Sequence, residues 1–262
     1  MAIKLIDGGV CAAQGFKAGG IHVGVKSHKV EKKDVALIVS EVECSAAAVF
    51  TKNVVKAAPI HVDKKHLENG KAWAIIANSG NANACAPQGE ENAIKMCQAA
   101  AQYIGCDPSD VLVSSTGVIG QTLNIGVIED GMAQLYGSIQ HSAAGSDAAA
   151  NAIMTTDTVK KEVALETVIG GKAVRMGRMH VPVAVAAEFI SARVLEGKPE
   201  DIGPFVFLVF CRIRTFHTDG RRDYTEEGIY PELLTLPSYV PDLPEVRSDY
   251  AGHLEAVQDV DT

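Results

Sequence analysis

Thr116 and Gly117 lie in the stretch Val113-Ser114-Ser115-Thr116-Gly117-Val118-Ile119-Gly120, where an apolar run gives way to hydroxyls and glycine. A Thr-Gly step leaving a strand can aim a hydroxyl and a backbone N–H at one point, the geometry an oxyanion needs. Acyl transfer passes through such a tetrahedral oxyanion, and one preorganised donor is worth roughly 3–4 kcal/mol in other enzymes. A tight connection between two elements is the plainer use of the same step. Two flanking segments are also unusual. Asn78-Ser79-Gly80-Asn81-Ala82-Asn83 stacks amides against small residues. Asn and Gly tolerate left-handed backbone and bond to nearby amides, so a rigid, self-bonded loop shaping a site wall is expected. Met154-Thr155-Thr156-Asp157-Thr158 places two adjacent hydroxyls 39 residues after Thr116; locally it also reads as an ST-turn ending a helix.

Other chemistry is not signalled. His22, His28, His61, His66 and His141 lie far apart with no HExxH or other ligand spacing, so no metal is implied. Gly19-Gly20-Ile21-His22-Val23-Gly24 lacks a Walker lysine and is not a dinucleotide fingerprint. Cys11, Cys44, Cys85, Cys97, Cys106 and Cys211 contain no CxxC pair and read as reduced cytosolic thiols.

The elements that must hold these residues are short strands and alanine-rich helices. Val35–Val39 is an apolar run of strand length, with Ala46–Phe50 as an expected neighbour. Trp73–Ala77 is a third strand opening into the Asn/Gly segment, and Val111–Val113 enters the Thr-Gly step. Glu90–Ile104 is the clearest helix, with Ala93, Ile94, Cys97, Ala100, Ala101 and Ile104 in one stripe and Gly105 placed to cap it. A second helix presents Val127, Ile128, Met132, Leu135, Tyr136 and Ile139. A third runs from about Asp147 to Met154, with Ser146 as N-cap. Glu162–Val168 and Lys172–Met176 read as a hairpin across Gly170-Gly171. Strands and helices mix without strict βαβ alternation, which predicts a layered α+β domain rather than a doubly wound sheet.

Composition divides the chain. The formal charge is −8; residues 1–181 carry 17 basic and 17 acidic side chains, whereas 182–262 carry 7 and 15. Seven of the ten prolines fall in the same last 81 residues. The expected organisation is a domain over residues 1–180 and a divergent, acidic, Pro-rich and poorly ordered tail over 181–262. In that tail 181–189 reads as strand or helix, 205–210 as a strand and 237–245 as extended linker. An acidic total argues against nucleic acid as partner. No secretory signal and no apolar run of about 18 residues is visible, so a soluble cytoplasmic protein is expected, with no membrane partner.

With Ala48-Val49-Phe50-Thr51-Lys52-Asn53 upstream, the four segments resemble the ornithine acetyltransferase family, the bifunctional glutamate N-acetyltransferases of arginine biosynthesis. They stand in family order from about Gly8 to Met179. The resemblance implies an αββα-like layered fold and a ping-pong reaction without a cofactor. N-acetylornithine, or acetyl-CoA in bifunctional members, acylates a threonine, and glutamate accepts the acetyl group. It assigns the oxyanion hole to Thr116 and Gly117 and substrate binding to Thr155, with Thr156 as the alternative. It also implies a precursor that cuts itself between alanine and threonine, and heterotetramers of two cleaved chains.

From Met179 onward the family pattern is lost. Val181 stands where a lysine is expected and Ala192 where the nucleophilic threonine is expected, and no Ala-Thr dipeptide occurs anywhere in the 262 residues. No nucleophile is therefore assigned. The family's second half, with an acidic ligand and an Asn/Thr pair, is not matched, which fits a frameshifted, mis-spliced or truncated product. Two other readings follow: an inactive scaffold for an intact partner, and a related N-terminal-nucleophile aminopeptidase. The Asn-rich and Met-Thr-Thr-Asp-Thr segments favour the acetyltransferase over the peptidase.

Overall fold

A computed structural model describes residues 3–26, 32–169, 172–180, 185–195 and 205–213. The strands are β1 (Lys4–Ile6), β2 (Phe16–Ile21), β3 (Val35–Phe50), β4 (Lys71–Asn81), β5 (Val111–Val118), β6 (Glu162–Ile169), β7 (Lys172–His180), β8 (Val185–Leu195) and β9 (Phe205–Ile213). The helices are α1 (Ala58–His66), α2 (Gly89–Ile104), α3 (Ile125–Ser138) and α4 (Ala143–Ile153). One mixed sheet follows the order β1-β6-β7-β8-β9-β3-β4-β5, with β2 paired to β3 beside this path. The α+β expectation holds. None of the helices among the described residues is long and apolar enough to cross a membrane.

The central strands are apolar without alternation because both faces are covered. Val35, Leu37, Ala74, Ile76, Val111 and Val113 point into one core with α2 and α3. Their neighbours Ala36, Ile38, Ile75, Ala77 and Leu112 point into the other, against α4 and Phe16. Each strand thus reads as a continuous run, and the period of two is hidden by burial.

Several expectations need correction. Ala46–Phe50 is no neighbour of Val35–Val39 but the far end of the same strand, β3, past a register shift between Val39 and Cys44. The intervening Ser40-Glu41-Val42-Glu43 contains no glycine or proline to turn the chain. That length lets β3 pair with β2 and β4 at one end and with β9 at the other. Helix α4 begins a turn earlier than expected, capped by Ser142, whose Oγ accepts the Gly145 N–H at 3.0 Å. Ser146 is instead buried inside α4, accepting from Val10 N–H and bonding Glu162 Oε2, each at 3.0 Å. In α2, Met96 takes a buried place in the stripe while Ile94 is exposed.

The α2 cap is as expected: Gly105 has φ +83 and its N–H reaches the Ala101 carbonyl. The hairpin also forms, β6 and β7 pairing as far as Ile169↔Lys172. The apolar run after 181 is strand from Val185, and the run at 205 is strand to Ile213; residues 237–245 lie outside the described residues. Strands β1 and β2 and helix α1 had no clear sequence signal.

Candidate functional site

Strands β4 and β5 run parallel, and their far ends bring Ser79 beside Thr116 and Gly80 beside Gly117. Here the ladder becomes polar without leaving the interior. Asn78, Ser79, Ser115 and Thr116 are each 5% exposed or less. Most of these groups satisfy one another. Ser115 Oγ donates to Asn78 Oδ1 at 2.7 Å, Asn78 Nδ2 to the Asn81 carbonyl at 2.9 Å, and Asn83 N–H to Asn81 Oδ1 at 2.7 Å. The Asn/Gly segment is therefore rigid and self-bonded, as expected, but Asn78–Asn81 is the end of a strand rather than a loop.

Besides Asn83, whose Oδ1 is buried without a partner among the described residues, Thr116 is the exception. Its Oγ1 is buried with no hydrogen-bond partner among the described residues. Leaving a hydroxyl in that condition costs about 1–3 kcal/mol. Gly117 beside it has φ +136, and a Cβ there would lie 2.3 Å from the Gly80 carbonyl carbon. Only glycine satisfies both the backbone and the space.

The end of α4 docks on the same place. Ser79 Oγ donates to the Ala152 carbonyl, and Lys26 Nζ donates to the Met154 carbonyl at 2.6 Å. The helix stops there because Met154 is extended, with φ −68 and ψ 138. Thr155 follows, and its Oγ1 is also buried without a partner among the described residues. An ST-turn would have bonded that hydroxyl locally, so that reading fails. Thr156 is exposed. Of the two adjacent threonines, Thr155 turns inward.

Sequence reasoning missed the residues that join these segments. A Cβ on Gly80 would meet Lys26 Cγ at 2.9 Å, so the loop carrying Lys26 lies directly on the β4 end. Burial pushes the Lys26 ammonium down to about 8, with Asp34 opposing the shift and Lys32 adding to it. No local pattern marks this lysine.

Burial pushes Cys11 up to about 11 and Cys44 up to about 12, far from the thiolate. An open cavity of about 410 Å³ lies between α1 and the start of α2, lined by Lys56, His61, Asn83, Cys85 and Glu91. It includes none of the four predicted site residues.

A model described as the ArgJ family matches residues 17–181. Among curated relatives, the arginine biosynthesis bifunctional protein ArgJ of Gloeobacter violaceus is 45% identical over 196 residues, covering 71% of this chain and 47% of the relative. The chloroplastic ArgJ protein of Zea mays is 41% identical over 178 residues, covering 67% and 38%. The chain thus spans about half the length of the curated relatives it matches, or less. A solved structure of ArgJ from Bacillus halodurans superposes with TM-score 0.61 at 36% identity, covering 78% of this chain and 98% of that one. Ornithine acetyltransferase from Mycobacterium tuberculosis, solved with ornithine, superposes with TM-score 0.60 at 37% identity, covering 63% and 89%.

Proposed function

The chain belongs to the ArgJ family, and from that premise we propose that it carries the oxyanion-stabilising and substrate-holding half of an N-acetyltransferase site. In the whole reaction a threonine hydroxyl attacks the acetyl carbonyl of N-acetylornithine. The tetrahedral oxyanion is held by the Thr116 hydroxyl and the Gly117 N–H. It collapses as the C–N bond breaks, and the ornithine amine leaves with the proton taken from the hydroxyl. The glutamate amine then attacks the acetyl ester through a second oxyanion at the same donors; the ester C–O bond breaks, N-acetylglutamate is released and the threonine oxygen takes back the amine's proton. Thr155 holds the amino-acid substrate.

The observation that carries this reading is the pair of buried hydroxyls at Thr116 and Thr155 that have no partner among the described residues. A folded chain tolerates the cost of such groups where a ligand supplies the missing partner. The absent Ala-Thr pair supports a second part of the proposal: this chain forms no acyl-threonine of its own and stays one polypeptide of 27.7 kDa. We assign residues 181–262 to a divergent region because the family match ends at 181, although β8 and β9 still pair into the same sheet. The facing wall of the site belongs to sequence this chain does not match, so affinity is low.

Titration of the full chain with N-acetylornithine, followed by heteronuclear NMR, tests the reading. Shifts should centre on Thr116, Gly117 and Thr155, saturate in the millimolar range and vanish in Thr116→Val. No shifts, or shifts confined to the α1–α2 cavity, would overturn it. Acetyl transfer to glutamate by the chain alone, or two fragments on a denaturing gel, would overturn the claim that it lacks a nucleophile.

A further inference from the structure

We propose that Lys26 is a positioning residue for Thr155: its ammonium ties the Met154 carbonyl to the loop resting on Gly80, which sets where the Thr155 hydroxyl stands. The inference rests on the substrate reading above only for the purpose of that placement; the tie itself is independent of it.

The loop that carries Lys26 is organised by one buried carboxylate. Asp34 is fully buried; its oxygens accept the N–H groups of Val23 at 2.7 Å and of Gly24 and Lys26 at 3.0 Å each. His22 Nδ1 lies 3.0 Å from the same carboxylate. Through its main-chain carbonyl, Asp34 also accepts the Ser79 N–H at 2.8 Å. One residue therefore holds both the lysine loop and the β4 end. A Cβ on Gly80 would also stand 3.1 Å from the Lys26 backbone nitrogen, so loop and strand are in van der Waals contact.

From this fixed base the lysine side chain reaches across. Its Nζ donates to the Lys33 carbonyl at 2.7 Å and to the Met154 carbonyl at 2.6 Å, 128 residues away. The last carbonyls of a helix have no partner within it and favour a cation nearby. Helix α4 has no basic residue in its last turn. Its end is capped instead by donors from elsewhere in the fold: Ser79 Oγ on Ala152 and Lys26 on Met154. Because Thr155 is the next residue, the direction of its side chain depends on how the Met154 peptide is held. Two donors from the Ser79–Gly80 end of the sheet thus define the position of a residue far away in sequence.

The tie has a pH signature. Burial lowers the Lys26 ammonium to about 8, while Asp34 and Lys32 are the charged groups acting on it; Asp157, paired with Lys161 at 3.0 Å, lies on the tethered segment. Loss of the proton through that range weakens a charge-assisted bond to Met154.

The test is NMR of the full chain without substrate. The Met154 and Thr155 amide signals should move with a midpoint near pH 8 in the unaltered protein. In Lys26→Met, which keeps the length and removes the donors, the step should disappear and the Thr155 signal should broaden. Lys33→Met serves as control, since that ammonium serves the Gly20 carbonyl at 2.7 Å; it should retain the step. N-acetylornithine affinity should fall about tenfold in Lys26→Met only. A flat Thr155 signal through this range in the unaltered chain would overturn the inference even if the variant failed to fold, and so would an unchanged Thr155 signal in a folded Lys26→Met. A step that Lys26→Met abolishes, with no response to N-acetylornithine in any variant, would leave the tie standing and sink the substrate reading instead.

Discussion

The two halves of the β4–β5 ladder are equally buried and chemically opposite. At Ala74–Ala77 and Val111–Val113 every side chain is apolar and enters one of two cores. Immediately after them, Asn78–Asn81 and Ser114–Thr116 occupy the same ladder with amides and hydroxyls. The first half stabilises the fold by removing apolar surface from water. The second half contributes little of that kind and leaves the Thr116 hydroxyl without a partner among the described residues. One pair of strands thus serves as scaffold over its first half and carries the proposed site over its second.

Substitutions should separate the two roles. The largest effect is expected at the junction, where Gly117→Ala meets both a positive φ and a Gly80 carbonyl carbon 2.3 Å away. A loss of about 3 kcal/mol or more should appear as a lower urea midpoint. A loss under about 1 kcal/mol would mean that the β4–β5 end is not closed there.

In the apolar half, Leu112→Ala removes a fully buried side chain. Equilibrium unfolding should register about 3 kcal/mol of destabilisation. N-acetylornithine shifts in the folded fraction should persist, because the site half of the ladder is untouched.

A smaller, pH-dependent effect belongs to Asp63 on α1, whose Oδ1 accepts the Val113 N–H at 2.8 Å. Burial pushes its carboxyl well above 3.8, with the Val113 bond opposing. The folded state then holds a proton that the unfolded state has lost. Stability should decline as pH rises from about 4 through the folded value. Asp63→Asn should flatten this slope, since the amide oxygen still accepts from Val113. A slope unchanged in Asp63→Asn would assign the pH dependence elsewhere.

The smallest effect carries the opposite sign. Thr116→Val replaces a buried, unpartnered hydroxyl by a methyl of the same shape. A gain of about 1 kcal/mol should be read by thermal unfolding, together with loss of the N-acetylornithine response. Destabilisation comparable to Leu112→Ala would show that the hydroxyl does have a structural partner.

Local patterns explain why some elements could be read in advance. The α2 stripe with Gly105 after it, and the hairpin around Gly170-Gly171, depend on neighbours within a few residues. The N-cap of α4 is ambiguous for an equally local reason, because Ser142 and Ser146 both precede plausible helix and only tertiary contacts occupy Ser146. Strand β3 reads as two runs because continuity across a register shift depends on partners, not on its own residues.

For the site, residue types marked the Thr116-Gly117 step and the Thr155-Thr156 pair as candidates, and the family resemblance gave them their expected roles. Hydroxyls and glycine at the ends of apolar segments are visible without coordinates. Which of Thr155 and Thr156 turns inward was decided only by the fold. So was the role of Lys26, because a charge-assisted bond spanning 128 residues leaves no periodicity in either segment. A sequence records what each side chain can do within reach of its neighbours; burial and distant partners decide which of those capacities is left unsatisfied.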